Sequence, residues 1–204
     1  YRLKGETAFD PHAVISPERI DADLKALSTR FDCVRTYSMG QGLGAVPDIA
    51  GRYGMKVLMG IWLGRDTVAN EREIALGLDA ARRDRASIRG IVVGNEVLLR
   101  GELSEKALAD AIQRVNAATD VPVTYADVWE FWQRHPQLVH AVDYVTIHIL
   151  PYWEDEPVAP EKAVQHVADV YRRMKAEFPG KQVMIGETGW PSEGRTRRDA
   201  SASL

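Results

Sequence analysis

The sequence predicts an α/β protein of the (β/α)₈ TIM-barrel class, and three observations carry that expectation. Short apolar segments alternate with amphipathic helical patterns along the chain. Polar and aromatic residues gather where the apolar segments end. No Gly-x-Gly-x-x-Gly phosphate turn follows any of them. Apolar strands separated by amphipathic helices imply a parallel sheet covered by helices, either open or closed into a barrel. An open sheet concentrates its site near one switch point, whereas a barrel gathers every strand end around one pit. Tyr37, Trp62, Asn95-Glu96, Tyr125, His148 and Glu187 are spread over different strand ends, which favours the barrel.

Each element follows from local signals. Ser16, then Pro17, cap a helix carrying Ile20, Leu24 and Leu27 at helical spacing, and a strand runs from Phe31 to Tyr37. A helix from Val46 to Tyr53 stops at Gly54, the strand Lys56 to Leu63 follows, and Asn70 opens the next helix with Glu73 as capping-box partner. Gly90 to Val97 reads as a strand. Ser104 caps a helix with Leu108, Ile112 and Val115. Val121 to Val128 is a strand, and Trp129 to His140 an irregular helix interrupted near Pro136. Val142 to Leu150 is an apolar strand, Pro160 opens a helix carrying Val164, Val167, Tyr171 and Met174, and Lys181 to Gly186 is the last strand. A charged loop follows from Glu193 to Asp199. Six strands are expected against the eight of a closed barrel, and the chain opens with a loop and helix and stops just after a strand, so it is expected to be truncated at both ends.

Composition bounds the function. The 204 residues, 45% hydrophobic, suit a single domain over 1–204 with a sizeable core. Lys and Arg number 26 against 29 Asp and Glu, a formal net charge of -3, so no basic field attracts nucleic acid and a neutral polymer is an acceptable partner. One cysteine, Cys33, excludes an intramolecular disulfide and a thiolate metal site, and is expected to pack as a small hydrophobe. The longest apolar run, Val57 to Leu63, is far shorter than a membrane span. Because the chain begins at Tyr1, a leader or anchor could precede it.

Two strand ends carry chemistry. Ile91-Val92-Val93-Gly94-Asn95-Glu96-Val97 ends in an amide followed by a carboxylate. Val183-Met184-Ile185-Gly186-Glu187-Thr188-Gly189-Trp190-Pro191 ends in a carboxylate and a glycine-aromatic turn. A carboxyl group at the rim of an apolar strand, near a second carboxylate, retains its proton toward neutral pH and can protonate a leaving oxygen. An indole such as that of Trp190 offers a flat apolar face to the C–H side of a pyranose. Glycoside hydrolysis needs two carboxylates across the anomeric carbon, about 5–5.5 Å apart for retention and about 6.5–9.5 Å for inversion. Three strand-to-strand steps separate the two segments, which sets their ends across the pit of a barrel. Taken singly, each Glu could equally be a salt-bridged strand end and each aromatic a core filler.

Five blocks resemble glycoside hydrolase family 17, particularly its bacterial β-1,3-glucanase and glucanosyltransferase branch: Val34-Arg35-Thr36-Tyr37-Ser38, Gly60-Ile61-Trp62-Leu63, Val93 to Arg100, His148-Ile149-Leu150-Pro151-Tyr152-Trp153, and Ile185 to Ser192. The resemblance implies Glu96 as acid/base and Glu187 as nucleophile. It implies Asn95 on the sugar 2-hydroxyl, Arg35 and Tyr37 orienting the nucleophile, and Tyr152 and Trp190 lining the cleft. Trp62, Tyr125, Asp127, His148 and Trp153 are carried over as further substrate-binding positions. It further implies a β-glucan partner, no metal or organic cofactor, and a periplasmic, envelope-associated or secreted location. By the same resemblance the six strands are the family's second to seventh, and the missing first and eighth would come from the remainder of the polypeptide or a swapped neighbour.

The expected activity is therefore a retaining β-glycosidase or transglycosylase on β-1,3-linked glucan. The alternatives are a same-clan enzyme acting on β-1,4-glucan or mannan, and a catalytically silent glucan-binding or assembly fragment. A phosphorylated-metabolite barrel is disfavoured by the lack of a phosphate loop.

Overall fold

A computed structural model of the protein describes residues 13–202. Among these residues six strands alternate with six α-helices: α1 (Pro17–Leu27), β1 (Cys33–Arg35), α2 (Val46–Arg52), β2 (Lys56–Ile61), α3 (Thr67–Arg83), β3 (Ile88–Asn95), α4 (Glu105–Ala117), β4 (Val123–Val128), α5 (Trp129–Arg134), β5 (Val145–Ile149), α6 (Ala163–Glu177) and β6 (Val183–Thr188). Hydrogen-bonded neighbours follow chain order from β1 to β6, and the fold is α/β, of the TIM-barrel class with six of its strands. The chain forms two compact units. The first extends to Val92 and includes Ala118–Val121; the second holds Val93–Ala117 and everything from Pro122 onward.

In the first unit, Ser16 accepts from the Arg19 N–H at the start of α1, whose Ile20 and Leu24 are buried as their spacing requires. β1 and β2 pair in parallel, Arg35 opposite Leu58. A Cβ on Gly60 would lie 2.5 Å from both the Thr36 carbonyl oxygen and the Tyr37 Cα, so only glycine lets these strand ends approach.

Two expectations for this unit are corrected. α3 starts at Thr67 and is capped by Asp66, which accepts from the Val68 and Ala69 N–H groups. Asn70 instead brackets Gly64, accepting from its N–H and donating to its carbonyl at 2.8 Å each. Glu73 is no capping partner: its carboxylate accepts from the Ser38 hydroxyl and the Met39 N–H at 2.9 Å and from the Trp62 N–H at 3.1 Å, tying the loops after β1 and β2. Helical spacing shows which face these residues share but not which loops return to that face. Cys33 is exposed rather than packed, because β1 stands at the end of the strand order.

The core of the second unit centres on Trp132, 1% exposed, whose Nε1–H donates to the Thr146 carbonyl and whose ring meets Tyr125 and Phe178 at 5.8 and 6.0 Å. The irregular helix splits as its proline demands, into α5 and a 3₁₀ turn over Pro136–His140. Pro160 opens a 3₁₀ turn rather than α6 itself. Val164 is 83% exposed, and the buried positions of α6 are Val170 and Met174. β6 runs through Glu187, beyond the expected Gly186. Val145, Thr146 and Ile147 pair with Val183, Met184 and Ile185, but His148 then pairs with Glu187, so Gly186 is the extra residue of a bulge.

Candidate active site

Glu96 leaves the end of β3 with φ 53, a left-handed conformation that a glutamate adopts only under constraint. Flanking hydrogen bonds supply it: the Glu96 N–H donates to the Ala126 carbonyl at 2.8 Å, and the Glu96 carbonyl accepts from the Arg100 N–H at 2.9 Å. Gly94, at φ 82, completes the turn, and a Cβ there would meet Val97 at 2.8 Å. Asn95 is buried, and its carbonyl accepts from the Arg100 guanidinium, which Glu102 pairs at 2.7 Å.

Tyr125 and Asp127, on β4, hold the segment that follows Glu96. The Tyr125 hydroxyl accepts from the Leu98 N–H at 3.1 Å and donates to Asp127, which also accepts from the Leu99 and Val128 N–H groups at 3.4 and 2.8 Å. Burial pushes the Asp127 carboxyl up to about 6 against these hydrogen bonds, and burial and the Asp127 charge push the Tyr125 hydroxyl upward. Both residues, 1% and 0% exposed, are engaged by these hydrogen bonds within the protein.

His148, on β5, is also wholly buried. Its Nδ1 lies 2.9 Å from Glu96 Oε1 and its Nε2 3.5 Å from Glu187 Oε1. Donor atoms of Glu96, His148 and Glu187 all lie within 4.8 Å of one another. Among the described residues this is the one cluster close enough to hold a metal ion, although its ring nitrogens already face carboxylates. The two glutamates keep 23% and 28% of their side chains exposed, the access a reacting pair needs.

A cleft of about 470 Å³ opens over the pair, lined by Glu96, Glu187, Glu130, Phe131, Trp153 and Asp155 among others. Trp153 is 45% exposed. Tyr152 is buried behind it: its ring meets Trp153 and Trp190 edge-on at 5.1 and 5.6 Å, and its hydroxyl donates to the Arg195 carbonyl. It supports the aromatic wall more than it faces the cleft. Trp190 is half-buried and donates to the Ser201 carbonyl at 3.0 Å. Glu154 anchors the loop after β5, accepting from the Leu150 N–H at 3.1 Å and lying 2.7 Å from His166.

Sequence reasoning missed Glu130 and Phe131. Burial, then the Glu154 and Asp155 charges, push Glu130 up to about 7, and its buried Oε2 finds no hydrogen-bond partner among the described residues. The signal available was the aromatic and charged run Trp129-Glu130-Phe131 directly after a strand end.

Arg35, Tyr37 and Trp62 belong to the first unit. The Arg35 guanidinium lies 4.5 Å from the centre of the Tyr37 ring, and Tyr37 and Trp62 are 41% and 38% exposed.

The family described as "BtgE/BtgC glycoside hydrolase domain" matches residues 7–204. A "Glucan 1,3-beta-glucosidase" of Schizosaccharomyces pombe is 26% identical over 199 residues, covering 90% of this chain and 62% of that protein. A "Probable beta-glucosidase btgE" of Aspergillus fumigatus is 27% identical over 206 residues, covering 97% of this chain and 35% of its own. The chain thus spans less than two thirds of either relative. Among solved structures, the Rhizomucor miehei glycoside hydrolase family 17 β-1,3-glucanosyltransferase superposes with a TM-score of 0.83 at 25% identity, covering 97% of this chain and 74% of that one. An active-site mutant of the same protein in complex with laminaritriose gives a TM-score of 0.84 at the same identity and coverage. A carboxylate pair at two strand ends, inside a domain match that spans nearly the whole chain, places this protein in the BtgE/BtgC glycoside hydrolase domain family, within glycoside hydrolase family 17.

Proposed function

We propose that this chain is the catalytic barrel of a retaining β-glycosidase or transglycosylase acting on β-1,3-linked glucan. The observation that carries the reading is the approach of Glu96 and Glu187, with carboxylate oxygens within 4.8 Å. Two carboxylates that approach this closely suit the retaining arrangement, about 5–5.5 Å between carboxyl groups, better than the about 6.5–9.5 Å that leaves room for an inverting water. The β-1,3 linkage is supported by the names of the S. pombe glucan 1,3-β-glucosidase and the R. miehei β-1,3-glucanosyltransferase.

In this reading Glu187 attacks the anomeric carbon as Glu96 gives its proton to the departing glycosidic oxygen, leaving a glycosyl ester on Glu187. Glu96, now a carboxylate, takes a proton from water or from a sugar hydroxyl, which attacks the same carbon and releases Glu187. Two inversions keep the β configuration. Asn95 holds the 2-hydroxyl, and Trp153 and Trp190 give apolar faces to the pyranose rings. Because the substrate is a polymer found outside the cytoplasm, we place the activity at the cell envelope or beyond it.

The test is incubation of the protein, and of its Glu187→Ala variant, with a soluble β-1,3-glucan, followed by mass spectrometry of the products. Shortened chains from the parent alone mean hydrolysis, and chains longer than the starting material mean transfer. A folded parent that leaves the glucan unchanged refutes the reading.

A further inference from the structure

We infer that His148 is a positioning residue that holds acid/base and nucleophile to one ring, Nδ1 setting Glu96 and Nε2 setting Glu187; the inference rests on the roles proposed above for the two glutamates. The imidazole is 0% exposed, so sugar entering the cleft does not reach it. It is carried by β5, whereas Glu96 follows β3 and Glu187 lies on β6, so three separate elements converge on it. The bulge at Gly186 puts Glu187 opposite His148; in an unbroken ladder that place belongs to Gly186. The nitrogens of one ring are rigidly spaced, so contacts of 2.9 and 3.5 Å from opposite sides of it tie the carboxylates to each other. Retention depends on that separation. One rigid side chain therefore governs both half-reactions without touching the substrate.

The two nitrogens can be removed separately. Asn places its amide near Nδ1 and Gln places its amide near Nε2, so His148→Asn keeps a contact for Glu96 and loses that to Glu187, and His148→Gln does the reverse. Two substrates separate the steps: a dinitrophenyl β-laminaribioside, whose leaving group needs no acid, and a laminarin oligosaccharide, which does. His148→Asn is expected to slow dinitrophenolate release by about tenfold or more, because nucleophilic attack is impaired. His148→Gln is expected to keep the rate of the first, pre-steady-state burst of dinitrophenolate within about threefold of the parent while oligosaccharide turnover falls by about tenfold or more. KM for the oligosaccharide stays within about threefold in both.

A merely structural histidine gives equal losses on both substrates in both variants, and that outcome overturns the inference, as does unchanged kinetics. Nitrogen NMR of His148 supplies a readout that needs neither turnover nor a variant at His148. Glu96→Gln is expected to move the Nδ1 resonance more than Nε2, and Glu187→Gln the reverse. If neither selectivity is seen, the inference fails even where the protein cleaves glucan. If both are seen in a protein inert toward glucan, His148 does hold the two carboxylates and it is the proposed activity that fails.

Discussion

Glu187 stands opposite His148 in the β5–β6 ladder because the pairing slips by one residue between Ile147 and His148. Side chains alternate along a strand, so without the slip Gly186 would face His148, and Glu187 would pair with Ile149 on the other side of the sheet. The bulge turns a carboxylate at the end of an apolar strand toward the ring that Glu96 also touches.

From that convergence follows the behaviour of the pair. Glu187→Gln is expected to lose glucan turnover by on the order of 10⁴-fold or more, since no nucleophile replaces it. Glu96→Gln is expected to behave differently: with a dinitrophenyl β-laminaribioside it forms the glycosyl-enzyme and then stalls for want of a base. Acid quenching and intact-protein mass spectrometry detect the added glycosyl mass. Equal loss of that first step in both variants contradicts the assignment of roles.

Tyr125→Phe removes a hydroxyl that bridges the Leu98 N–H and Asp127. A buried donor and a buried carboxylate each lose a partner, so destabilisation of about 1–3 kcal/mol is expected in urea unfolding. Because that hydroxyl steadies the segment after Glu96, turnover should fall as well, with KM little changed.

Burial holds Glu130 up at about 7 and Asp127 up at about 6. Carboxyls in the unfolded chain titrate near about 4. The folded protein therefore binds more protons between these limits. The stability each group contributes is fully present below the unfolded value and is lost as pH rises through the folded one. Glu130→Gln removes one such group, and its stability relative to the parent should be greater at about pH 8 than at about pH 5. Urea midpoints of both proteins at the two pH values decide it, and a gap that does not change with pH contradicts the raised value.

At Gly60 the space is closed by the Thr36 carbonyl and the Tyr37 backbone, each 2.5 Å from a built Cβ. Gly60→Ala is expected to destabilise the protein by about 2 kcal/mol or more, because the atoms that must give way are backbone. A midpoint within error of the parent means that the β1 and β2 ends are looser than described.

Trp153, 45% exposed on the cleft, offers its indole to a pyranose face. Trp153→Ala is expected to raise KM for β-1,3-oligosaccharides by about tenfold with kcat within about threefold, as for lost uniform binding. Steady-state kinetics over oligosaccharides of increasing length show which of them reach it.

Much of this was legible in the amino-acid order because it depends on near neighbours. The spacing of Ile20 and Leu24, the caps at Ser16 and Ser104, the stop at Gly54 and the break at Pro136 are local physics. So is the placement of Glu96 and Glu187 at strand ends, since an apolar run terminating in a carboxylate reads the same in sequence and in space. Only tertiary structure decided the rest. Whether Glu73 caps its helix or ties two loops depends on which loops return to that helix. That Tyr125 and Asp127 hold the segment after Glu96, and that His148 lies between Glu96 and Glu187, depends on which strand ends meet. The separation of Glu96 from Glu187 depends on a one-residue slip at Gly186 that no periodicity announces. The chain order determined which chemical groups are present and on which elements; contacts between elements distant in sequence determined which of them face the cleft and how far apart they stand.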